Sequence, residues 1–582
     1  MKRSSLGQKG GAALLSAIFL LSSCKQTDTT STGVDTSSAA SETTSVTVST
    51  SDVKSTSDGE TVASSETSGS TEDSSAPVIT QTSAESWSPS ATSETQDLED
   101  VFSPDHNKMT DAHDELAEEF RKLPGVVNVV KKPNYEDNQY ILIYEMPIDH
   151  NDPDKGTFQQ RVFINLKSKD APNQFTIGGY NLYYGMYDGG YYDEAEPLFA
   201  KTYGCNLIEP EYRFDGLSKP EGFSNEKADY WEYLTCEQAS EDFHFIMESL
   251  KTMLTGKWCI EGMSKGGEFT AYQLSRYPDD ADLFVAECAM LKMGENTPGL
   301  YDYIYNTAGD DRYGKEKAKK YRELLLEFQV EMIKHRDDLQ DDYWYEATHV
   351  YNMQFASTFT KEILFDCTVL DLSHLYQYES EGELEDDARG DIFKKMQDTL
   401  ELKDATGPTE KGLFRKNAFE VLNNLYGPWQ YAYVDTASSS PEVGNLYGFM
   451  LQCYHEDGYF DYDFSYLREA LEKDGSGASL YITKEMEPEV YGYRIADHHK
   501  NLSYRPDVTE ARIRAVETTQ KPLILVNGLS DLYQVAEVKE CDNPNTHIFN
   551  IPSSFHDEIS LEYLSEEQFK EYDAIVREAL GI

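Results

Sequence analysis

The sequence predicts an α/β fold: a mostly parallel sheet whose chain is interrupted by a long, mainly helical insertion. Three observations predict it. Short apolar runs alternate with helix-compatible stretches from about Gln139 onward. That alternation stops beyond about Lys292 and returns at Pro522-Leu523-Ile524-Leu525-Val526-Asn527-Gly528. Within the first block, the apolar Trp258-Cys259-Ile260 runs into Gly262-Met263-Ser264-Lys265-Gly266-Gly267 and then into helix-compatible Glu268 to Leu274. This last stretch reads as a strand, a sharp turn carrying a serine, and a helix.

The start of the chain reads as a targeting signal. Lys2, Arg3 and Lys9 are basic, and Ala12 to Leu21 is an apolar run too short to span a membrane. It ends in Leu21-Ser22-Ser23-Cys24, which resembles the lipobox of a bacterial lipoprotein. That resemblance implies cleavage before Cys24, lipidation of Cys24, and residence at the outer face of the cell membrane. A multiply acylated cysteine meets the requirement for stable anchoring. Residues 24–100 are rich in Ser and Thr, carry scattered acids and hold few large apolar side chains. Such a segment cannot offset its chain entropy by burial, so a disordered tether with a span of roughly 50 Å is expected.

The formal net charge is −53, which argues against nucleic acid and anionic membrane surfaces as partners. Apart from Cys24, the cysteines are Cys205, Cys236, Cys259, Cys288, Cys367, Cys453 and Cys541, scattered and without a C-x-x-C pair. They read as small buried apolar residues, with no zinc or redox motif. No phosphate loop, dinucleotide fingerprint or metal-ligand cluster appears, so neither cofactor nor metal is expected.

In the folded part, Gln139 to Tyr144 and Arg161 to Leu166 flank a turn-rich stretch and predict an antiparallel hairpin. Phe175 to Gly179 and Cys205 to Glu209 read as short buried strands, and Cys236 to Leu250 as a helix with apolar residues at helical spacing. Leu283 to Ala289 is the next strand. Tyr301 to about Asp474 is charged, aromatic and mostly of helical period. After it come the strands Leu523 to Val526 and Thr546 to Ile551, then a helix from Ser565 to Leu580. The expected boundaries are 1–23 signal, 24–100 tether, 101–295 first part of the core, 296–515 helical insertion and 516–582 second part of the core.

A serine flanked by glycines at a strand-to-helix turn has the geometry of the nucleophile in an α/β-hydrolase, where the acid and then the histidine follow in chain order. Asp531 lies just past the strand Leu523 to Val526, and His556 just past Thr546 to Ile551. Open α/β sheets place their sites at such carboxyl ends. The imidazole would take the serine's proton while the carboxylate fixes its tautomer. The oxyanion would meet the backbone N–H groups of Lys265 and of Tyr180, in the turn Gly179-Tyr180. His547, His498 and His499 compete with His556, and Asp557 and Asp542 with Asp531. Lys265 beside the serine invites a Ser–Lys reading, but adjacent side chains in such a turn diverge.

Several segments together resemble the peptidase S37 family of secreted tripeptidyl aminopeptidases. They include Pro147-Ile148-Asp149-His150, Gly179-Tyr180-Asn181-Leu182, Glu211-Tyr212-Arg213-Phe214, Trp231 to Ala239, the Ser264 turn, Tyr277-Pro278-Asp279-Asp280 and Asp310-Asp311-Arg312-Tyr313. The resemblance is dense from about Tyr140 to Tyr313 and returns at Gly528 to Asp531 and around His556. It implies an α/β-hydrolase core with a cap and a serine exopeptidase that removes tripeptides from free N-termini, with Ser264, Asp531 and His556 as its triad. Tyr212 stands where the family usually has His. An exopeptidase needs a carboxylate for the substrate's protonated amine; Glu211 or an acid of the insertion is the candidate, although Glu211 beside Arg213 also reads as a structural ion pair. A carboxylesterase on the same core, and a surface binding lipoprotein with a decayed site, are the alternative readings.

Overall fold

The computed structural model describes residues 109–582 apart from 133–134, 181, 183–196, 226, 228, 378–389, 424–426, 434–445 and 557. The signal, the tether, the lipidation candidate Cys24 and the competing acid Asp557 lie outside the described residues. Among the described residues no helix is long and apolar enough to cross a membrane.

One sheet of ten strands carries the fold: β1 (Thr110–Asp111), β2 (Val126–Lys131), β3 (Gln139–Pro147), β4 (Thr157–Asn165), β5 (Asn173–Ile177), β6 (Asn206–Pro210), β7 (Trp258–Met263), β8 (Leu283–Glu287), β9 (Leu523–Gly528) and β10 (Thr546–Ile551). Their spatial order is β1-β2-β3-β4-β6-β5-β7-β8-β9-β10. The expected hairpin is β3 with β4, antiparallel and paired from Gln139–Asn165 to Pro147–Thr157. From β6 to β10 every pairing is parallel. This is an α/β-hydrolase core.

Parallel strands covered on both faces should be apolar throughout, and β5, β6, β8 and β9 are buried at every residue. Successive side chains point to opposite faces. Leu283, Val285, Ile524 and Val526 join the cluster with Phe199, Tyr572 and Val576, under the C-terminal helix Glu566–Leu580. Phe284, Ala286, Leu523 and Leu525 join the other cluster, with Phe243 of the helix Cys236–Lys251, Phe269 of Lys265–Arg276 and Val508 of Pro506–Thr518. Full burial of each such side chain contributes roughly 1.5–3 kcal/mol. The second cluster continues into the insertion through Leu325, Phe328 and Leu370, so insertion and core share one apolar interior.

Helix ends follow local chemistry. Thr235 and Ser565 cap their helices through side-chain oxygens, and Ser565 with Gln568 completes a capping box. The helix Pro506–Thr518 is bound to Lys265–Arg276 by the buried Arg512, which donates to Glu268 at 2.9 Å and also to Asp457. All seven described cysteines are free thiols, six of them buried.

Strand order sets the position of the site. The chain leaves β5 for β6 on one side and returns across it to β7 on the other. Such a reversal opens a crevice at the carboxyl ends, where Gly179-Tyr180 follow β5 and Ser264 follows β7.

Candidate active site

Ser264 stands between β7 and the helix Lys265–Arg276 with φ 55° and ψ −121°. A residue with a Cβ held there is strained by roughly 1–3 kcal/mol and persists only where its surroundings over-determine it. Its N–H donates to the Glu287 carbonyl at 2.8 Å, and its own carbonyl accepts from the Glu268 N–H at 3.0 Å. The flanking glycines serve close approach: a Cβ on Gly262 would lie 2.3 Å from the Gly266 carbonyl oxygen, and one on Gly266 would lie 1.8 Å from that of Ile177.

The structure brings the three expected side chains together. His556 Nε2 is 3.0 Å from Ser264 Oγ, and its Nδ1 is 2.6 Å from Asp531 Oδ2. Asp531 Oδ1 accepts from the Tyr533 N–H at 2.8 Å, which fixes the carboxylate's plane. With Nδ1–H turned to the carboxylate, Nε2 is the acceptor for the serine proton. All three are buried, Ser264 keeping 7 % of its surface. The two loops meet at Gly528, where a Cβ would lie 2.6 Å from the Ser554 carbonyl oxygen. The competing histidines are engaged elsewhere: His498 Nε2 with the Asn225 carbonyl at 3.1 Å, His499 Nδ1 with Tyr447 Oη at 2.8 Å, and His547 on β10. Asp542 lies in the loop between β9 and β10.

Lys265 is the first helical residue, so its N–H has no acceptor within the helix. The Gly179-Tyr180 turn lies against it: a Cβ on Gly179 would be 3.5 Å from the Gly266 nitrogen. Lys265 Nζ turns away from the serine, donating to the Gly179 carbonyl at 2.8 Å and to Gln452 Oε1 at 2.7 Å, with the Tyr212 ring centroid 4.4 Å away. Gln452 in turn donates to Tyr212 Oη at 2.9 Å. The residue that stands in place of the family's histidine is therefore part of the brace under the turn.

Glu211 requires a correction. It is fully buried and does not line the cavity in front of Ser264. Its carboxylate accepts from Arg161 Nε at 2.7 Å and from a second nitrogen of that guanidinium, from the Ser218 hydroxyl at 2.6 Å, and from the N–H groups of Leu217 at 3.2 Å and Leu182 at 3.3 Å. A carboxylate accepts about four bonds, so none remains for a substrate amine. The ion pair is with Arg161 rather than with the sequence neighbour Arg213, which donates to Asp242 at 2.7 and 3.0 Å.

Sequence reasoning missed four residues. Arg312 donates to the Ser553 carbonyl at 3.0 Å and pairs with Glu558 at 2.9 and 3.1 Å, clasping the His556 loop from both ends. Its signal was the Asp310-Asp311-Arg312-Tyr313 motif, which gave no role. Cys288 Sγ lies 4.0 Å from His556 Nε2, and burial pushes its thiol well above the usual range, so it stays protonated. Glu537 is fully buried, neither carboxyl oxygen has a hydrogen-bond partner among the described residues, and burial followed by the nearby Asp531 charge pushes its carboxyl well above the usual range. Asp371 closes the helix Lys361–Asp371 in the insertion, which also carries Glu362 and Asp366, so no signal in the sequence singled it out.

A cavity of about 160 Å³ opens on Ser264 and His556. Its walls are mostly aromatic and apolar, among them Phe449, Phe460 and Tyr533, and it holds two charged side chains of the insertion, Asp371 and Arg494.

The model of the PS-10 peptidase S37 family matches residues 107–399, half of the chain. The prolyl tri/tetrapeptidyl aminopeptidase of Streptomyces mobaraensis is 30 % identical over 213 residues, which are 36 % of this chain and 42 % of that protein. The match thus spans less than half the length of that relative. Two solved hydrolases align over most of the chain. An α/β fold family hydrolase from Bacillus anthracis str. Sterne has a TM-score of 0.28 and 13 % identity, covering 76 % of this chain and 99 % of that one. The haloalkane dehalogenase DatA from Agrobacterium tumefaciens has a TM-score of 0.26 and 11 % identity, covering 78 % and 99 %. The fold follows from the chain's own sheet order. Matched over half its length by the family's model, the chain belongs to the peptidase S37 family.

Proposed function

We propose that the chain is a serine exopeptidase that releases short peptides, tripeptides above all, from free N-termini through an acyl-enzyme on Ser264. The observation that carries this reading is the position of His556, whose two nitrogens meet Ser264 Oγ at 3.0 Å and Asp531 at 2.6 Å. Ser264 Oγ attacks the scissile carbonyl carbon as its proton passes to His556 Nε2, and the imidazolium is stabilised by Asp531. The tetrahedral oxyanion lies against the N–H groups of Lys265 and Tyr180. Nε2 then gives the proton to the leaving amine, the C–N bond breaks, and the acyl group stays on Oγ. Water then attacks the acyl carbon as its proton passes to Nε2, the C–Oγ bond breaks, and Nε2 returns that proton to Oγ, releasing the peptide acid and restoring the serine.

The release of tri- or tetrapeptides is supported by the name of the Streptomyces relative, and a largely apolar cavity in front of Ser264 suits a bound peptide. Attachment to the outer face of the cell membrane through lipid on Cys24 is part of the proposal. It is supported by the basic start, the apolar run and the Ser22-Ser23-Cys24 junction.

Mass spectrometry of products from a panel of peptides with free N-termini tests the reading. Tripeptides are expected from wild type, with a loss of ~10³-fold or more in Ser264→Ala. Cleavage at internal bonds irrespective of the N-terminus, or full activity in Ser264→Ala, overturns it.

A further inference from the structure

We propose that Asp371 holds the protonated α-amine of the bound peptide, a role that rests on the exopeptidase reading above. Asp371 is the last residue of the helix Lys361–Asp371. It retains 5 % of its surface and lines the same cavity as Ser264.

Its compensation is incomplete. Tyr301 Oη donates to Oδ1 at 3.2 Å, Gln430 Nε2 donates to Oδ2 at 2.7 Å, and Tyr431 Oη also donates to Oδ2. All three donors are neutral, and burial together with the Asp371 charge pushes both phenols well above their usual range, so they remain donors. His374 Nδ1 is 3.8 Å from Oδ1, and burial lowers that imidazole's affinity for a second proton. Arg494 also lines the cavity, but its terminal nitrogens go to Tyr462 Oη at 2.6 Å and to Met450 Sδ. Among the described residues no lysine or arginine forms an ion pair with Asp371.

A buried carboxylate bonded to neutral donors alone, with Arg494 acting on it only from beyond ion-pair distance, lacks a cation in direct contact to offset its desolvation. Three donors also leave room for one more on its oxygens. An α-ammonium supplies both the charge and the N–H, and the aromatic walls suit a cation. An N-acetylated terminus supplies neither. Because Asp371 and Ser264 line one cavity, their separation would set how many residues are released.

The test compares one tripeptidyl substrate with a free amine and its N-acetyl form, on wild type and on Asp371→Asn. Wild type is expected to favour the free amine, and Asp371→Asn to lose roughly 10- to 100-fold in kcat/KM on that substrate alone. Retention of the wild-type preference in a folded Asp371→Asn overturns the assignment and leaves the exopeptidase reading intact. Absence of any preference in wild type overturns the reading itself. Where Asp371→Asn does not fold, Asp371→Glu carries the test. It keeps the charge but advances it by one methylene, so KM should rise several-fold for the free-amine substrate only; KM moving alike for both substrates, or for neither, overturns the assignment.

Discussion

Lys265 Nζ and Gln452 Oε1 lie 2.7 Å apart, joining the first residue of the nucleophile helix to the helix Leu446–Gln452 of the insertion. The same ammonium donates to the Gly179 carbonyl at 2.8 Å. One side chain thus holds both the turn that presents the Tyr180 N–H and a wall of the cavity.

Lys265→Met keeps the apolar stem and removes both bonds. The Gly179 carbonyl then loses its donor inside the protein, which costs about 1–3 kcal/mol, and the turn loosens. We expect a kcat lower by roughly 10- to 100-fold, by comparison with loss of an oxyanion-hole donor. Steady-state kinetics with a thermal melt checks this, and wild-type kcat would show that the turn needs no brace.

Arg312 acts at a distance, through the His556 loop. Arg312→Ala should lower kcat several-fold with KM almost unchanged, because the imidazole is misplaced while the cavity is kept. A double-mutant cycle with Glu558→Gln should show a coupling of about 0.5–3 kcal/mol. Additive effects would mean that the pair does not position the loop.

Glu537 and pH offer a third check. Burial raises its carboxyl above the unfolded value, so the folded state holds a proton that the unfolded state releases first. Stability from this group is therefore complete below the ordinary carboxylate range and falls as pH rises from there toward neutrality, by at most ~1.4 kcal/mol per pH unit. Glu537→Gln, which imitates the protonated acid, should be less sensitive to pH across that window. Denaturant titrations at pH 4.5, 6 and 7.5, conditions on the order of that window, would show parallel pH profiles for the two proteins if Glu537 were already ionised.

Glu211→Gln separates architecture from recognition. Breaking its buried pair with Arg161 should cost roughly 3–5 kcal/mol. The ratio of free-amine to N-acetyl turnover in the folded fraction should equal that of wild type. A collapsed ratio would return Glu211 to the substrate.

Much of this was legible in the chain, for physical reasons. The strand Thr546–Ile551 and the hairpin of Gln139 to Tyr144 with Arg161 to Leu166 are marked by apolar residues and by turns that local chemistry fixes. The Ser264 turn was legible because close backbone approach demands glycine. Asp531 and His556 were placed by chain order and strand ends, although Tyr212 departs from the family's pattern. Val126–Lys131, which lies between β1 and β3, was missed because its run Val-Val-Asn-Val-Val-Lys does not alternate apolar and polar residues. Glu211 misled because proximity in sequence suggested Arg213, whereas sheet register places Arg161 on β4 beside β6. Asp371 and Arg312 depend on contacts across more than fifty residues, which no local pattern encodes.

The most direct test is fluorophosphonate labelling followed by peptide mapping, on wild type and on His556→Ala. Stoichiometric attachment at Ser264 in wild type, lost in a folded His556→Ala, is the predicted result. Attachment at another residue, or at the wild-type rate without the imidazole, would contradict the account.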